Sequence, residues 1–187
     1  MRHVPVVNAP QPRMNFYADT DRDILWIIHR KVAGTSLRKA LDVAMTIPAE
    51  EALPHNASMR TITVVRHPWD RITSGMFNIF NGGPEVPFAQ RISEEITSRE
   101  GPHAVDWHFW PQWYVIDGFR VDDVILFENL AEGWCRLQSE YDLPELGHFN
   151  KGDGHDWRLP EGEPFDWSPL LPWYEPDFAF CEEWKRA

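Results

Sequence analysis

The stretch that decides the fold is residues 23–41, which read DILWIIHRKVAGTSLRKAL. Its first part, 23–29, is a nearly continuous apolar run, as expected of a strand that is buried on both faces. From Thr35 onward the apolar residues recur at helical spacing, and Thr35 or Ser36 can serve as the helix N-cap. The stretch therefore predicts a strand, a tight turn and a helix.

The same alternation continues along the chain and predicts an α/β fold. Two further apolar strands are predicted at 61–65 and within the run VDDVILFENL at 121–130. Helical patterns are predicted from Thr35, from Pro68, over 87–99, over 106–116, over 130–141 and, broken by prolines, from Ser168 to the end of the chain. Such alternation favours a P-loop-like, three-layer fold in which helices flank a central parallel sheet.

Length and composition fit one globular domain that spans 1–187. The chain has 187 residues, of which 43% are hydrophobic and 25% are charged, enough for one core and few for two. Residues 1–23 contain prolines and no clear periodicity, so we expect an extended arm there. Residues 144–168 are rich in Gly, Pro and Asp and are predicted to be loop.

The charge and the absence of long apolar runs restrict the partners. A net charge of −11 and a pI near 5.1 repel nucleic acids and anionic membranes, so neither is expected as a partner. No run approaches the roughly 20 apolar residues of a membrane span, and no signal peptide is recognised at the N-terminus. We expect a soluble, cytoplasmic protein. Cys135 and Cys181 lack metal-ligand spacing, lie in predicted helices and are expected to be buried free thiols.

The turn after the first strand has the composition of an anion-binding loop. Lys31 precedes Gly34 by three residues, so the G-x-x-x-x-G-K-[ST] spacing of a nucleoside triphosphatase loop is absent. Gly34 permits a tight turn, after which backbone N–H groups and the hydroxyls of Thr35 and Ser36 can face an anion. A helix cap beside a solvated lysine is the alternative.

The second strand ends in a similar way. In VVRHPWDRITSGMF, 64–77, Arg66 follows the strand and Ser74 lies about two helical turns further on. A guanidinium suits a bidentate grip on a terminal phosphate. An ordinary amphipathic helix with surface arginines is the alternative here. Because parallel strands end at one edge of a sheet, both loops are expected to face one crevice.

Together the two loops resemble the sulfotransferase superfamily, most closely its carbohydrate sulfotransferase-like branch. The segments HFWPQW at 108–113, VDDVILFENL at 121–130 and WYEPDFAF at 173–180 are similar to later family segments, in family order. The resemblance implies transfer of a sulfuryl group from PAPS (3′-phosphoadenosine 5′-phosphosulfate) to a hydroxyl acceptor. It further implies a carbohydrate acceptor, PAP as the product and no metal.

Site residues follow from this resemblance position by position. The 5′-phosphosulfate would be bound by Lys31, Gly34, Thr35 and Ser36, and the 3′-phosphate by Arg66 and Ser74. The family's first loop commonly reads P-K-T-A-G-T-S, whereas this chain has Arg30 in place of the proline, which adds a cation to the donor site. Lys151, in the glycine-rich segment 150–157, is a further candidate for donor binding.

Sulfuryl transfer needs a cation beside the leaving oxygen and a base for the acceptor hydroxyl. Lys31 is placed for the first role. His55 is the first candidate for the base, because the family often has a histidine in a similar H-x-[AS] segment, and His108 is the second. Glu128 is a third, although a structural carboxylate is favoured there. The other histidines are expected to cap or line the loops or to lie on the surface: His3, His29, His67, His103, His148 and His155.

An aromatic wall is predicted on the acceptor side of the site. Trp107, Trp110 and Trp113, with Gln112, could stack against a sugar or aromatic ring, beside the candidate bases His55 and His108. Packing of these tryptophans in the core is the alternative.

Two other functional classes share parts of this pattern. A nucleotide or small-molecule kinase would use a similar fold, but the sequence lacks the G-K-[ST] lysine and an evident magnesium carboxylate. A non-catalytic, nucleotide-binding relative would keep the scaffold. Retention of Lys31, Arg66, Ser74 and a candidate base argues against that class, whereas the altered first loop keeps it open.

Overall fold

In the computed structural model the described residues are 16–43, 46–80, 88–98, 106–147 and 166–185. They form an α/β structure with a four-stranded mixed sheet and seven α-helices. The strands are β1 (Phe16–Asp19), β2 (Ile24–Ile28), β3 (Arg60–Val65) and β4 (Asp123–Leu126). The helices are α1 (Gly34–Ala40), α2 (Ala49–Ser58), α3 (Pro68–Phe80), α4 (Phe88–Ser98), α5 (Gln112–Ile116), α6 (Leu130–Tyr141) and α7 (Leu171–Lys185).

The sheet has the strand order β1-β2-β3-β4. Strands β2, β3 and β4 are parallel, and β1 is antiparallel to β2. The parallel strands end together at Ile28, Val65 and Leu126, which define the carboxyl edge of the sheet. They begin together at the opposite side, the amino edge, where Arg60 and Asp123 open β3 and β4.

The prediction of a parallel sheet is right for three strands and wrong for β1. Residues 16–19 were expected in the extended arm, yet they form an edge strand that pairs with β2. The ring of Phe16 is 1% exposed and stacks on Phe119, with 4.6 Å between ring centroids. Burial of this one aromatic side chain explains why a short, weakly patterned segment joins the sheet.

Each face of the sheet carries a hydrophobic core, because successive residues of a strand point to opposite faces. Ile24, Trp26 and Ile28 of β2 pack on one face with residues of α1 and α6. Leu25 and Ile27 pack on the other face with residues of α2 and α5. Burial on both faces is the reason why 23–29 reads as a continuous apolar run.

Most predicted helices are confirmed, with local differences. The predicted helix 106–116 is divided into a 3₁₀ turn, Trp107–Phe109, and α5, because Pro111 separates the two. Helix α2 was not predicted, since Pro48 and Pro54 interrupt its pattern. No helix among the described residues is long and apolar enough to cross a membrane.

The cysteine prediction is half right. Neither cysteine forms a disulfide among the described residues, and Cys181 is buried, but Cys135 is exposed. Cys135 lies on the outer side of α6, whose neighbouring Trp134 and Leu137 face the core.

Candidate functional site

The loop between β2 and α1 turns sharply at the carboxyl edge. Lys31 and Ala33 both have positive φ, 66° and 61°, a conformation that non-glycine residues seldom adopt and that often occurs at functional sites. An added Cβ on Gly34 would lie 3.3 Å from Ile28 Cγ2 and 3.4 Å from the His29 carbonyl oxygen. The backbone at Gly34 therefore passes close to the end of β2, where a larger residue would crowd it.

The predicted N-cap of α1 is wrong. Ala33, in the left-handed conformation, occupies the N-cap position, and Thr35 and Ser36 lie inside the first turn. Thr35 is exposed and Ser36 is buried. The two hydroxyls therefore differ in their access to a ligand.

Arg66 brings the second loop to the first. It follows β3 directly, and its guanidinium Nη1 donates a hydrogen bond to the Lys31 carbonyl oxygen, 3.3 Å away. The guanidinium also lies over the ring of Phe127, with Cζ 4.5 Å from the ring centroid. Ser74, half-buried, follows in the second turn of α3. The expectation that the two loops share one edge of the sheet is confirmed.

Four cations, which we call the cation cluster, lie at this edge: Arg30, Lys31, Arg38 and Arg66. Burial lowers the pKa of Lys31, and the neighbouring charges of Arg66 and Arg30 lower it further. Burial is also the main cause of the lowered pKa of Arg30, Arg38 and Arg66. Cations held together in this way favour an anionic ligand, which would relieve both the burial and the mutual repulsion.

Arg30 and Arg66 of the cation cluster also have buried donors that no described residue accepts. The Nε atoms of Arg30 and Arg66 are buried and have no hydrogen-bond acceptor among the described residues. Both guanidinium groups lie on aromatic rings: Arg30 Cζ is 4.1 Å from the centroid of Trp107. Rings hold these cations in place and leave their donors for an acceptor with several oxygens.

His108 lies beside the cation cluster. Its Nδ1 is 2.6 Å from Oδ1 of Asp106, and the same oxygen accepts the His108 backbone N–H at 2.8 Å. Burial lowers the pKa of His108 and the charges of Arg30 and Lys31 lower it further, whereas Asp106 raises it. A carboxylate on Nδ1 fixes the ring so that Nε2 is the nitrogen available to accept a proton. Asp106 was not singled out in the sequence, although D-x-H at 106–108 carries the signal.

The segment that carries His108 is held by buried polar side chains. Arg71 is 1% exposed and donates to the carbonyl oxygens of His108, at 2.9 Å, and of Trp110. The buried hydroxyl of Tyr174 donates to the Phe109 carbonyl oxygen. Arg71 therefore has a structural role, because it holds the backbone of the segment that carries His108.

Gly75 permits the same segment to pack closely on α3. A Cβ there would lie 3.3 Å from Phe109 Cε1 and 3.4 Å from the His108 carbonyl oxygen. A larger residue at this position would require Phe109 or the His108 backbone to shift by a few tenths of an ångström.

His55 does not lie with these residues. It sits in the last turn of α2, where its carbonyl oxygen accepts from Met59 N, and Arg60 then opens β3 at the amino edge. The six residues of β3 separate that edge from Arg66 by about 20 Å at 3.3 Å per residue. His55 and His108, which the sequence placed in one candidate site, therefore lie at opposite edges of the sheet.

The aromatic wall is present only in part. Trp107 and Trp110 are half-buried near His108, whereas Trp113 packs against the core on the α2 and α5 face. Gln112 is 2% exposed and bonds the backbone of Arg66. Assigning Gln112 to the acceptor surface was therefore wrong, because its amide is fully used beneath the site.

Glu128 and the remaining histidines are placed as follows. Oε1 of Glu128 accepts the His67 backbone N–H at 2.8 Å, so the structural interpretation of this carboxylate is confirmed. His29 is buried below the first loop. The other predicted positions lie outside the described residues: His3, His103, His148, Lys151 and His155.

Comparison with family models, with curated proteins and with solved structures finds no match.

Proposed function

We propose that this chain is a sulfotransferase that moves the sulfuryl group of PAPS to a carbohydrate hydroxyl. The observation that carries the proposal is the cation cluster: half-buried cations from two predicted anion loops, Lys31 and Arg66, meet beside a histidine that is fixed by a carboxylate. The donor carries the oxyanions that would pair with these half-buried cations. The fold would then be P-loop-like and three-layered.

Donor binding divides between the two loops. Lys31, Gly34, Thr35 and Ser36 would hold the 5′-phosphosulfate, with Arg30 as an added cation. Arg66, with Ser74, would hold the 3′-phosphate. The division is supported by the backbone geometry at 31–34 and by the buried, unpartnered Nε of Arg66.

Transfer would proceed by in-line displacement at sulfur. The acceptor oxygen attacks with its electron pair and forms the new S–O bond, while Nε2 of His108 takes the hydroxyl proton. The S–O bond to the bridging oxygen breaks, and PAP leaves with that electron pair, which Lys31 stabilises electrostatically. His108 replaces His55 as our preferred base, because it lies at the carboxyl edge with Asp106 on its Nδ1, whereas His55 lies at the amino edge. Trp107 and Trp110 would contact the acceptor.

Calorimetric titration with PAP and with ADP, without magnesium, tests the proposal. PAP should bind more tightly than ADP, because only PAP carries a 3′-phosphate. Arg66→Ala should weaken PAP binding roughly 10- to 100-fold, the size expected for a lost charged hydrogen bond. Arg60→Ala, at the amino edge, is the matched control and should leave PAP binding unchanged. Equal affinities for PAP and ADP in the wild type would overturn the proposal.

A further inference from the structure

The helix that carries Gln112 is capped from a distant part of the chain. Helix α5 begins after Pro111, which provides no side-chain cap. Instead, Asp177 of α7 accepts the backbone N–H groups of Gln112, at Oδ2, and of Trp113, at Oδ1, both at 2.8 Å. Its side chain is 1% exposed. A buried carboxylate thereby fixes the first turn of a short helix that has no cap of its own.

The side chain of Gln112, positioned in this way, bonds the backbone of Arg66. Its Oε1 accepts the Arg66 backbone N–H and its Nε2 donates to the Arg66 carbonyl oxygen, both at 2.8 Å. The amide thus bonds both backbone groups of the first residue after β3. Because the Arg66 backbone is fixed, the starting point of its side chain is fixed as well. The guanidinium at the end of that side chain contacts Lys31 and Phe127.

We call Asp177, Gln112 and Arg66 the relay, in the order in which each residue positions the next. Asp177 and Gln112 are both buried, so this part of the relay is closed to solvent. Arg71 is the buried cation whose charge faces Asp177, and it also holds the carbonyl oxygen of His108. Truncating one member of such a network leaves other buried groups unpaired. The relay is therefore rigid, a property that a precisely placed guanidinium requires.

We propose that Asp177 and Gln112 are positioning residues of the donor site. Asp177 orients α5, Gln112 bonds the backbone of Arg66, and Arg66 is thereby held where the 3′-phosphate binds. This inference rests on the proposed function for its ligand. It assigns a role to the Asp of the W-Y-E-P-D-F segment, which the sequence alone left without one.

The test uses Gln112→Met, which keeps the length of the side chain and removes both bonds to Arg66. Asn56→Leu is the matched control, because Asn56 bonds the backbone N–H and carbonyl oxygen of Arg120 in the same way, at 3.0 and 2.7 Å, near the amino edge. The measured quantities are the ratio of PAP to ADP affinity and the hydrogen-exchange protection of the Arg66 amide in the ligand-free protein.

Gln112→Met should lower the ratio of PAP to ADP affinity by about tenfold, the usual size of effect for groups that orient a ligand-binding residue. It should also remove the protection of the Arg66 amide. Asn56→Leu should change neither quantity, even where it lowers the unfolding temperature as much. An equal fall in both variants would overturn the relay, because general destabilisation would then explain the result.

Asp177→Asn provides a second test, with the amide exchange of Arg66 as its readout. Protection that persists in both Gln112→Met and Asp177→Asn would overturn the relay, whatever the protein binds. A wild-type protein without preference for PAP would instead overturn the proposed function. The two failures are therefore distinguishable.

Discussion

The arginines at the two edges of the sheet have different kinds of interaction partner. At the amino edge Arg60 donates to Asp123 through Nε at 2.9 Å and Nη2 at 2.5 Å, and Arg120 bonds Asp122. At the carboxyl edge Arg30 and Arg66 form no ion pair among the described residues; each lies on an aromatic ring instead. The amino edge therefore pairs Arg60 and Arg120 with carboxylates, whereas Arg30 and Arg66 at the carboxyl edge lie on aromatic rings.

The pKa values express the same difference. The hydrogen bond that Arg60 donates to Asp123 raises the pKa of Arg60, whereas burial lowers the pKa of Arg66. Burying a charge without a partner is costly, so such an arrangement indicates a ligand of opposite charge. The chain has a net charge of −11, so carboxylates outnumber cations. Whether an arginine has a carboxylate partner therefore says more about function than the position of the arginine does.

The largest expected effect comes from the two candidate bases, which lie at opposite edges. His108→Asn should lower sulfuryl transfer by about 10²- to 10⁴-fold, the usual contribution of a general base. His55→Asn, the matched control at the amino edge, should keep turnover near that of the wild type. The measurement is transfer of labelled sulfate from PAPS to a panel of sugar acceptors.

The pH profile of the same assay adds a second criterion. Because burial lowers the pKa of His108, the acidic limb of kcat/KM should lie below pH 6.5, the ordinary histidine value. Loss of transfer in His55→Asn, with retention in His108→Asn, would reverse the assignment and bring the amino edge into the reaction.

Replacing a cation at each edge gives the next largest effect. Lys31→Ala should lower turnover by about 10²- to 10³-fold, the size of effect seen when a group that stabilises developing negative charge is removed. Arg136→Ala, which loses a bond to Asp123 of 3.1 Å at the amino edge, should leave turnover unchanged. The unfolding temperature of Lys31→Ala should not fall, because the substitution removes the repulsion of Lys31 by Arg66 and Arg30. Near-normal turnover of Lys31→Ala would remove Lys31 from the mechanism.

Much of the fold could be predicted because strong local patterns decided it. Residues 24–28 are buried on both faces of the sheet, and 130–141 has a clear helical period, so both elements were found. Strand β1 and helix α2 were missed, because the burial of Phe16 is a long-range effect and the prolines of α2 disguise its period.

The residues of the candidate site show the same difference between what local patterns predict and what they do not. Lys31 and Arg66 follow strands, so topology alone predicts that they meet. The positions of His55 and Gln112 depend on which edge a helix reaches and on which backbone group an amide bonds. Neither property has a sequence period, and the resemblance on which His55 was preferred does not show that its helix ends at the amino edge.

The smallest expected effect concerns the histidine beneath the cation cluster. Burial, together with the charge of Arg71, lowers the pKa of His29 to about 3. The folded protein thus holds His29 neutral, whereas the unfolded chain protonates it near pH 6.5. The stabilising contribution is present above pH 6.5 and is lost as the pH falls toward 3, because the unfolded state then binds the additional proton.

Between pH 6 and pH 4 this one group should reduce the free energy of unfolding by roughly 1.4 kcal/mol per pH unit. Denaturant unfolding of the wild type and of His29→Leu over this range measures the contribution as a difference in slope. Parallel slopes for the wild type and His29→Leu would show that the carboxyl edge accepts another positive charge. The contrast between the two edges would then be one of hydrogen-bond geometry, and the case for a bound anion would lose its electrostatic basis.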